Sequence, residues 1–317
     1  MTNRPFFSVV IPLYNKESYI EATLKSVLNQ SLKDFEVIIV NDGSTDNSYH
    51  KAKTINNGRI QLYSTKNKGV SHARNFGIKK ANANLIAFLD ADDIWHNHHL
   101  EDLKKLYENF PNCGMYCKAY SKQHGKKLIK SVYKNIPKQS NWMGVLDDYF
   151  KSSLINCIAW TSAVMIPKKI TNDIGGFDEN ITLGAGEDTD LWIKIALKYP
   201  VAFSNRPSAI HNLDAYNRIS NTNTNTRNFL NLDKYESIAK KNKSLKTYLD
   251  INRYSIAIQY KLVGNTIKGN EYINKIDLTN LNKKQRFLLR QSSLFLKVIL
   301  LLKSPLKKFN IHLSSYK

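Results

Sequence analysis

The chain opens on a largely apolar run, FFSVVIPLY. KESYIEATLKSVLNQ follows, with Ile20, Leu24, Val27 and Leu28 at helical spacing. The alternation repeats: FEVIIV, IQLYS and LIAFL read as strands, and GVSHARNFGIKKA between the last two reads as a helix. Near-continuous apolar strands of this kind suit a parallel sheet covered on both faces. Between FEVIIV and IQLYS, Ser44 or Thr45 in NDGSTD is expected to cap another helix. Beyond a helix from about His98 to Phe110 the rhythm loosens. GMYCKAYS, TSAVMIP and VAFSN predict strands, GGFDEN a turn, and EDTDLWIKIALKY a helix. From about residue 212 the composition shifts to Asn, Lys, Thr and Tyr without clear strands, and NTNTNTRN reads as a loop. This predicts an α/β region over 1–215 and a mainly helical, basic region over 216–317.

Composition narrows the classes. A hydrophobic content of 42% in 317 residues supports a real core. MTNRPFFSVVIPLYN reaches a proline too early for a signal peptide, and no apolar run is long enough to span a bilayer. Cys113, Cys117 and Cys157 make no disulfide framework and no zinc spacing, so reduced thiols and a cytoplasmic setting are expected. The net charge of +21 is lopsided. Residues 217–317 carry 20 Lys/Arg against 5 Asp/Glu, whereas the first 216 carry 27 against 21. Residues 281–317 hold nine Lys/Arg, no acid and the run LFLKVILLL, a pattern that suits an anionic membrane surface. No nucleic-acid module accompanies the basic charge, so no nucleic-acid partner is expected.

Polar clusters stand where strands end, which is where open α/β sheets bind ligands. These are PLYNKE, NDGSTD and DADD. No G-x-G-x-x-G follows the first strand and no P-loop is present, which disfavours a nicotinamide enzyme or a P-loop NTPase. Carboxylates such as Asp90 and Asp92 at a strand end suit a hard cation, Mg²⁺ or Mn²⁺, held together with substrate phosphates. The structural alternatives are that Asp92 and Asp93 cap a helix, and that Glu187 and Asp188 merely favour a helix dipole. His96, His98 and His99 are expected to face solvent beyond the motif.

Taken in order, Pro12-Leu13-Tyr14-Asn15, Asn41-Asp42-Gly43-Ser44-Thr45-Asp46, Asn67-Lys68-Gly69 with Ala73-Arg74-Asn75, Asp90-Ala91-Asp92-Asp93 and Gly186-Glu187-Asp188-x-Asp190-Leu191-Trp192 resemble the family 2 glycosyltransferases. The resemblance covers about residues 6–200 and implies a GT-A fold: a Rossmann-like mixed sheet flanked by helices, here with the helical basic extension. It implies that Pro12, Tyr14, Glu17 and Asp42 line a nucleotide pocket, and that Gly69, Arg74, Asp90 and Ala91 face the nucleotide-sugar. Asp92, with Asp90, would hold Mn²⁺ or Mg²⁺, and His211 would reach the metal or diphosphate. Asp188 would be the general base of an inverting transfer, and Glu187 and Trp192 would contact the acceptor. Asn41 departs from the aspartate common at that position, and AIHNLDAYNRIS departs from the usual R-x-H-x-x-S-x-S run, leaving His211 open as a plain loop histidine. The resemblance implies a UDP-sugar donor, a hexose (glucose or galactose) before an N-acetylhexosamine. It further implies an undecaprenyl-diphosphate-linked saccharide acceptor in bacterial surface polysaccharide synthesis, such as O-antigen or capsule, at the cytoplasmic face of the inner membrane. A non-catalytic glycan-assembly partner would need a broken Asp-x-Asp or a missing base. A nucleotidyltransferase would need a triphosphate loop that PLYNKESY does not supply.

Overall fold

A computed structural model describes residues 4–219, 222–308 and 315, with 303–308 as backbone alone. The first half alternates as β1 (Phe7–Leu13), α1 (Ile20–Leu28), β2 (Phe35–Asp42), α2 (Ser48–Thr54), β3 (Ile60–Thr65), α3 (Val70–Lys80) and β4 (Leu85–Phe88). Then come β5 (Ile94–Trp95), α4 (His99–Asn109), β6 (Met115–His124), β7 (Lys127–Lys130), β8 (Met143–Val145), α5 (Tyr149–Ser152), β9 (Val164–Pro167), α6 (Lys168–Ile174), α7 (Glu187–Lys198) and β10 (Val201–Asn212). Helices follow: α8 (Glu236–Ala239), α9 (Lys243–Leu262), α10 (Thr266–Ile273), α11 (Lys283–Arg290) and α12 (Ser293–Lys308).

The strands form one mixed sheet in the order β3-β2-β1-β4-β9-β6-β10-β5, with β7 beside β6 and β8 beside β10. β1 to β4 are mutually parallel, β9 runs antiparallel to β4 and to β6, and β10 is parallel to β6. Because side chains alternate along a strand, Val9, Ile11 and Leu13 enter one core with Leu24 and Val27 of α1. Val10 enters the other, beside Ala73 of α3. The second core runs on through Leu230, Tyr235, Leu245, Leu249 and Tyr260, so the compositional change near residue 215 is not a break in packing.

Several expectations shift. α2 starts at Ser48 with Asn47 as its cap residue, not Ser44 or Thr45. Those two hydroxyls instead bind Asn15, tying the loops after β1 and β2 together. TSAVMIP begins with a 3₁₀ turn, Thr161–Ala163, before β9, and VAFSN extends through an irregularity between Ser204 and Ala209 to Asn212. Short-range pattern cannot register a strand whose partner lies some 85 residues upstream. All three cysteines are free. Among the described residues no helix is long and apolar enough to cross a membrane.

Gly77 tests how tightly α3 packs on the sheet. A Cβ there would drive into Cγ1 of Val10, a fully buried, β-branched side chain with no room to yield. Helix propensity alone favours alanine over glycine by about 1 kcal/mol. Overpacking costs about 1–3 kcal/mol, so Gly77→Ala is expected to lower the unfolding free energy in urea titrations.

Candidate active site

The carboxyl ends of β1, β2 and β4 open into a cleft of about 750 Å³, closed on its far side by Trp160, Thr161, Leu183, the start of α7 and residues 211–219. Among the described residues, three of the five non-glycine residues with positive φ, Asn15, Leu183 and Asn217, line it, so backbone strain concentrates here. Of the residues singled out by sequence, Pro12, Tyr14, Asp42, Gly69, Arg74, Asp90, Ala91, Asp92, Glu187, Asp188 and His211 all line this one cleft.

Asp42 shapes its rim. Its Oδ1 accepts from Lys68 N at 3.0 Å and its Oδ2 from Gly69 N at 2.8 Å, which pins the turn ahead of α3. Gly69 is needed there for its φ of +93°, since a Cβ would meet no protein atom within 4 Å. Asn41 lies outside the lining, and its Oδ1 accepts from Ser44 N at 3.2 Å, so the departure from aspartate changes a turn.

Deeper in, the Arg74 guanidinium is buried between two carboxylates. It donates to Asp90 Oδ1 at 2.8 Å and Glu187 Oε1 at 3.2 Å, and it lies 5.1 Å from the Phe177 ring centre. Burial alone would lower its pKa, but Asp90 and Glu187 outweigh burial and hold it above the ordinary value. Glu187 is itself raised by burial and by Asp188, with Arg74 opposing, and its Oε2 is buried without a hydrogen-bond partner. Asp188, the second residue of α7, accepts from Thr161 Oγ1 at 3.3 Å through Oδ2 and from Thr189 N at 2.6 Å through Oδ1. That arrangement leaves Oδ2 room to accept a further proton donor from the cleft.

At the end of β4, Asp92 Oδ2 meets the Lys16 ammonium at 2.7 Å. Burial raises its pKa and Lys16 pulls it back only in part. Asp93 is fully enclosed, accepting from Ser162 Oγ at 2.6 Å and Asn212 N at 3.0 Å. Burial, Asp92 and Asp90 push its pKa well above the carboxylate range. α4 begins only at His99, so neither aspartate caps it. His211 stacks on Trp160 with ring centres 4.9 Å apart, and its Nε2 lies 3.0 Å from Arg218 Nη2. Burial and Arg218 lower its pKa to about 4, leaving a neutral imidazole.

The donors fit a hard cation: the Asp90 and Asp92 carboxylates share the cleft and Asp92 already attracts an ammonium, whereas Arg218 engages His211 Nε2. Among the described residues no three His, Cys, Asp or Glu side chains converge closely enough to hold a metal by themselves. A Mg²⁺ or Mn²⁺ ion held by carboxylates would complete its shell with phosphate oxygens and water.

Three readings are corrected. Trp192 is no wall of the cleft. One turn beyond Asp188, it runs into the core and packs against Phe88 and Phe177 at 6.3 and 5.9 Å between ring centres. Trp160 lines the cleft instead. Glu17 does not line the cleft; its Oε2 accepts from Asn47 N at 3.0 Å at the start of α2. The three histidines are not simply solvent-facing. His99 is buried, stacked 4.1 Å from Trp95 and 2.8 Å from Ser208 Oγ, and His98 Nδ1 lies 2.9 Å from Asp102. None lines the cleft, and burial together with Lys118 keeps His99 neutral. Sequence reasoning missed Lys16, Asp93, Trp160 and Arg218. Asp93, within DADD, and Lys16, within PLYNKE, carried a local signal.

The family model described as "Glycosyl transferase family 2" matches residues 8–173. TuaG of Bacillus subtilis, described as a putative teichuronic acid biosynthesis glycosyltransferase, is 32% identical over 205 residues, covering 62% of this chain and 75% of that protein. An uncharacterized glycosyltransferase of Rickettsia bellii is 33% identical over 195 residues, 60% of this chain. The chain matches only 26–30% of the length of the Rickettsia bellii, Rickettsia conorii and Rickettsia felis relatives. Among solved structures, S. aureus TarS 1-349 in complex with UDP-GlcNAc shares the fold at a TM-score of 0.58 and 18% identity, covering 85% of this chain and 72% of that one.

Removing Arg74 would strand Asp90 and Glu187 without their shared counter-charge. Arg74→Met is expected to lose about 3–5 kcal/mol of stability in urea unfolding. Arg74→Lys, with one donor centre for two carboxylates, should fall between.

Proposed function

The chain belongs to glycosyl transferase family 2, and from that premise we propose that it transfers a sugar from a UDP-sugar, with inversion, to a lipid-diphosphate-linked saccharide in bacterial surface polysaccharide synthesis. The observation that carries this reading is the pairing of Arg74 with both Asp90 and Glu187, which sets the strand-end carboxylates across one cleft from Asp188. Pro12, Tyr14 and Asp42 frame the opening in which the nucleotide would sit. TuaG's description and the UDP-GlcNAc and UDP complexes of TarS support the polysaccharide setting and a UDP-linked donor.

In this mechanism Asp188 Oδ2 takes the proton of the acceptor hydroxyl as its oxygen attacks the anomeric carbon. The bond from that carbon to the diphosphate oxygen breaks on the opposite face, and its electron pair leaves with UDP. Thr161 orients the base by hydrogen bonding to the same oxygen, and Arg74 fixes Asp90 and Glu187 around the reacting centre. A divalent cation, Mn²⁺ or Mg²⁺, bound by Asp92 and Asp90 would supply Lewis-acid neutralisation of the departing diphosphate. Glu187, next to the base, would hydrogen-bond the acceptor or the donor sugar. We take that sugar as a hexose, glucose or galactose. The UDP-GlcNAc bound by TarS supports an N-acetylhexosamine as the second reading.

The C-terminal helix supplies an apolar surface. Leu294 and Leu301 of α12 are each 74% exposed, with Phe295, Val298 and Leu302 also open, while Leu296 is buried. Lys283, Lys284, Arg286, Arg290 and Lys297 lie nearby in sequence, whereas the side chains of Lys303, Lys307, Lys308 and Lys317 fall outside the described residues. We assign this face to peripheral attachment on the cytoplasmic leaflet of the inner membrane, apolar groups in the interface and cations on anionic headgroups.

A panel of UDP-sugars with Mn²⁺ and a saccharide-diphosphate-lipid acceptor identifies donor and acceptor. Asp188→Asn should retain UDP binding while turnover falls about 10²–10⁴-fold, and full activity in the variant would remove the base assignment. Separately, Leu294→Glu with Leu301→Glu should abolish co-sedimentation with anionic vesicles and leave UDP affinity unchanged; undiminished co-sedimentation would refute the membrane role.

A further inference from the structure

Lys16 lies in the polar cluster PLYNKE that follows β1, and its side chain is only 12% exposed. An ammonium has three donors, and this one has three acceptors. They are Asp92 Oδ2 at 2.7 Å, Asn217 O at 3.1 Å and Tyr216 O at 3.4 Å. The same two segments meet again where Tyr216 N donates to Tyr19 Oη at 3.0 Å and where Ser18 Oγ lies 2.8 Å from Tyr216 Oη. Two residues on, Arg218 engages His211 Nε2 and adds a second positive charge facing Asp92. One lysine therefore joins the strand-end carboxylate to a segment, 216–219, that forms part of the cleft wall.

A hard divalent ion needs a carboxylate oxygen at about 2.1 Å. An ammonium held 2.7 Å from Asp92 Oδ2 takes up part of that carboxylate's lone-pair capacity and repels a divalent ion approaching the same group. We propose that Lys16 is a positioning residue that competes with the divalent cation for Asp92, so that loading the metal frees the Lys16 ammonium and loosens its hold on residues 216–219. The inference rests on the metal-dependent reading given above. Linkage makes the effect reciprocal: whatever factor Lys16 takes from metal affinity, the metal takes from the attachment of 216–219. The freed ammonium is then available to diphosphate oxygens in the same cleft. Metal and donor thus load together.

The test titrates Mn²⁺ into donor-free protein, reading free Mn²⁺ by electron paramagnetic resonance, and follows amide exchange at residues 214–219. Lys16→Met should bind Mn²⁺ about tenfold more tightly than the unaltered chain. Lys16→Arg, which keeps the charge, should stay close to the unaltered value and guards against misfolding. Exchange at 214–219 should quicken with Mn²⁺ in the unaltered chain, and should already be fast and insensitive to Mn²⁺ in Lys16→Met. Unchanged or weaker Mn²⁺ binding by Lys16→Met, with Asp92→Asn abolishing binding in a parallel sample, would overturn this inference and leave the metal reading standing. If Asp92→Asn leaves Mn²⁺ binding untouched, or no Mn²⁺ binds at all, the metal reading falls and this inference falls with it.

Discussion

A buried guanidinium cannot stand alone in a protein interior, and Arg74 has its two carboxylates from parts of the chain about a hundred residues apart. Asp90 comes from the end of β4 and Glu187 from the first turn of α7. Neither element is tied to the other by a short loop, so the ion pairs and the Phe177 ring over the guanidinium fix where α7 begins relative to the sheet. Asp188 is the next residue, so its position across the cleft follows from the same contacts.

The other end of the same helix turn is held from the C-terminal side. Asp190, fully enclosed, receives Lys194 at 2.7 Å, Lys234 at 2.5 Å and the Tyr235 hydroxyl at 2.6 Å. Further along, Arg227 donates to Gln259 of α9 at 3.0 Å and to the carbonyls of Ile219 and Thr222, which border the cleft. The helical region is therefore part of the frame that shapes the cleft. Its low-complexity asparagine and threonine stretch includes a 3₁₀ turn, Thr224–Thr226, packed near that arginine.

Much of the cleft was legible because its residues sit directly after strands whose apolar runs are unmistakable. Asp42 and the Asp90–Asp92 group had to fall at the carboxyl edge once FEVIIV and LIAFL both ran parallel to FFSVVIPLY, the strand between them. Trp192 misled because motif proximity to Asp188 says nothing of which way a side chain one helical turn deeper points, and burial drew it into the core. Glu17 failed for a similar reason: the nearby start of α2 offers its carboxylate an unpaired backbone N–H. His99 left solvent to stack on Trp95, a contact that no residue spacing announces.

Periodicity, apolar content and the order of the polar clusters determined by themselves that the first strands of this chain form a covered parallel sheet with carboxylates along one edge. Those are local properties, set by which faces of a strand or helix must leave water. Tertiary structure decided the partners: Arg74 between Asp90 and Glu187, Lys16 on Asp92, Arg218 on His211, Trp160 in the cleft rather than Trp192. These pairings join residues from 7 to 113 positions apart, and most rest on charges and rings that the sequence places without any neighbouring signal. Only the folded chain, by burying them together, made each partner necessary.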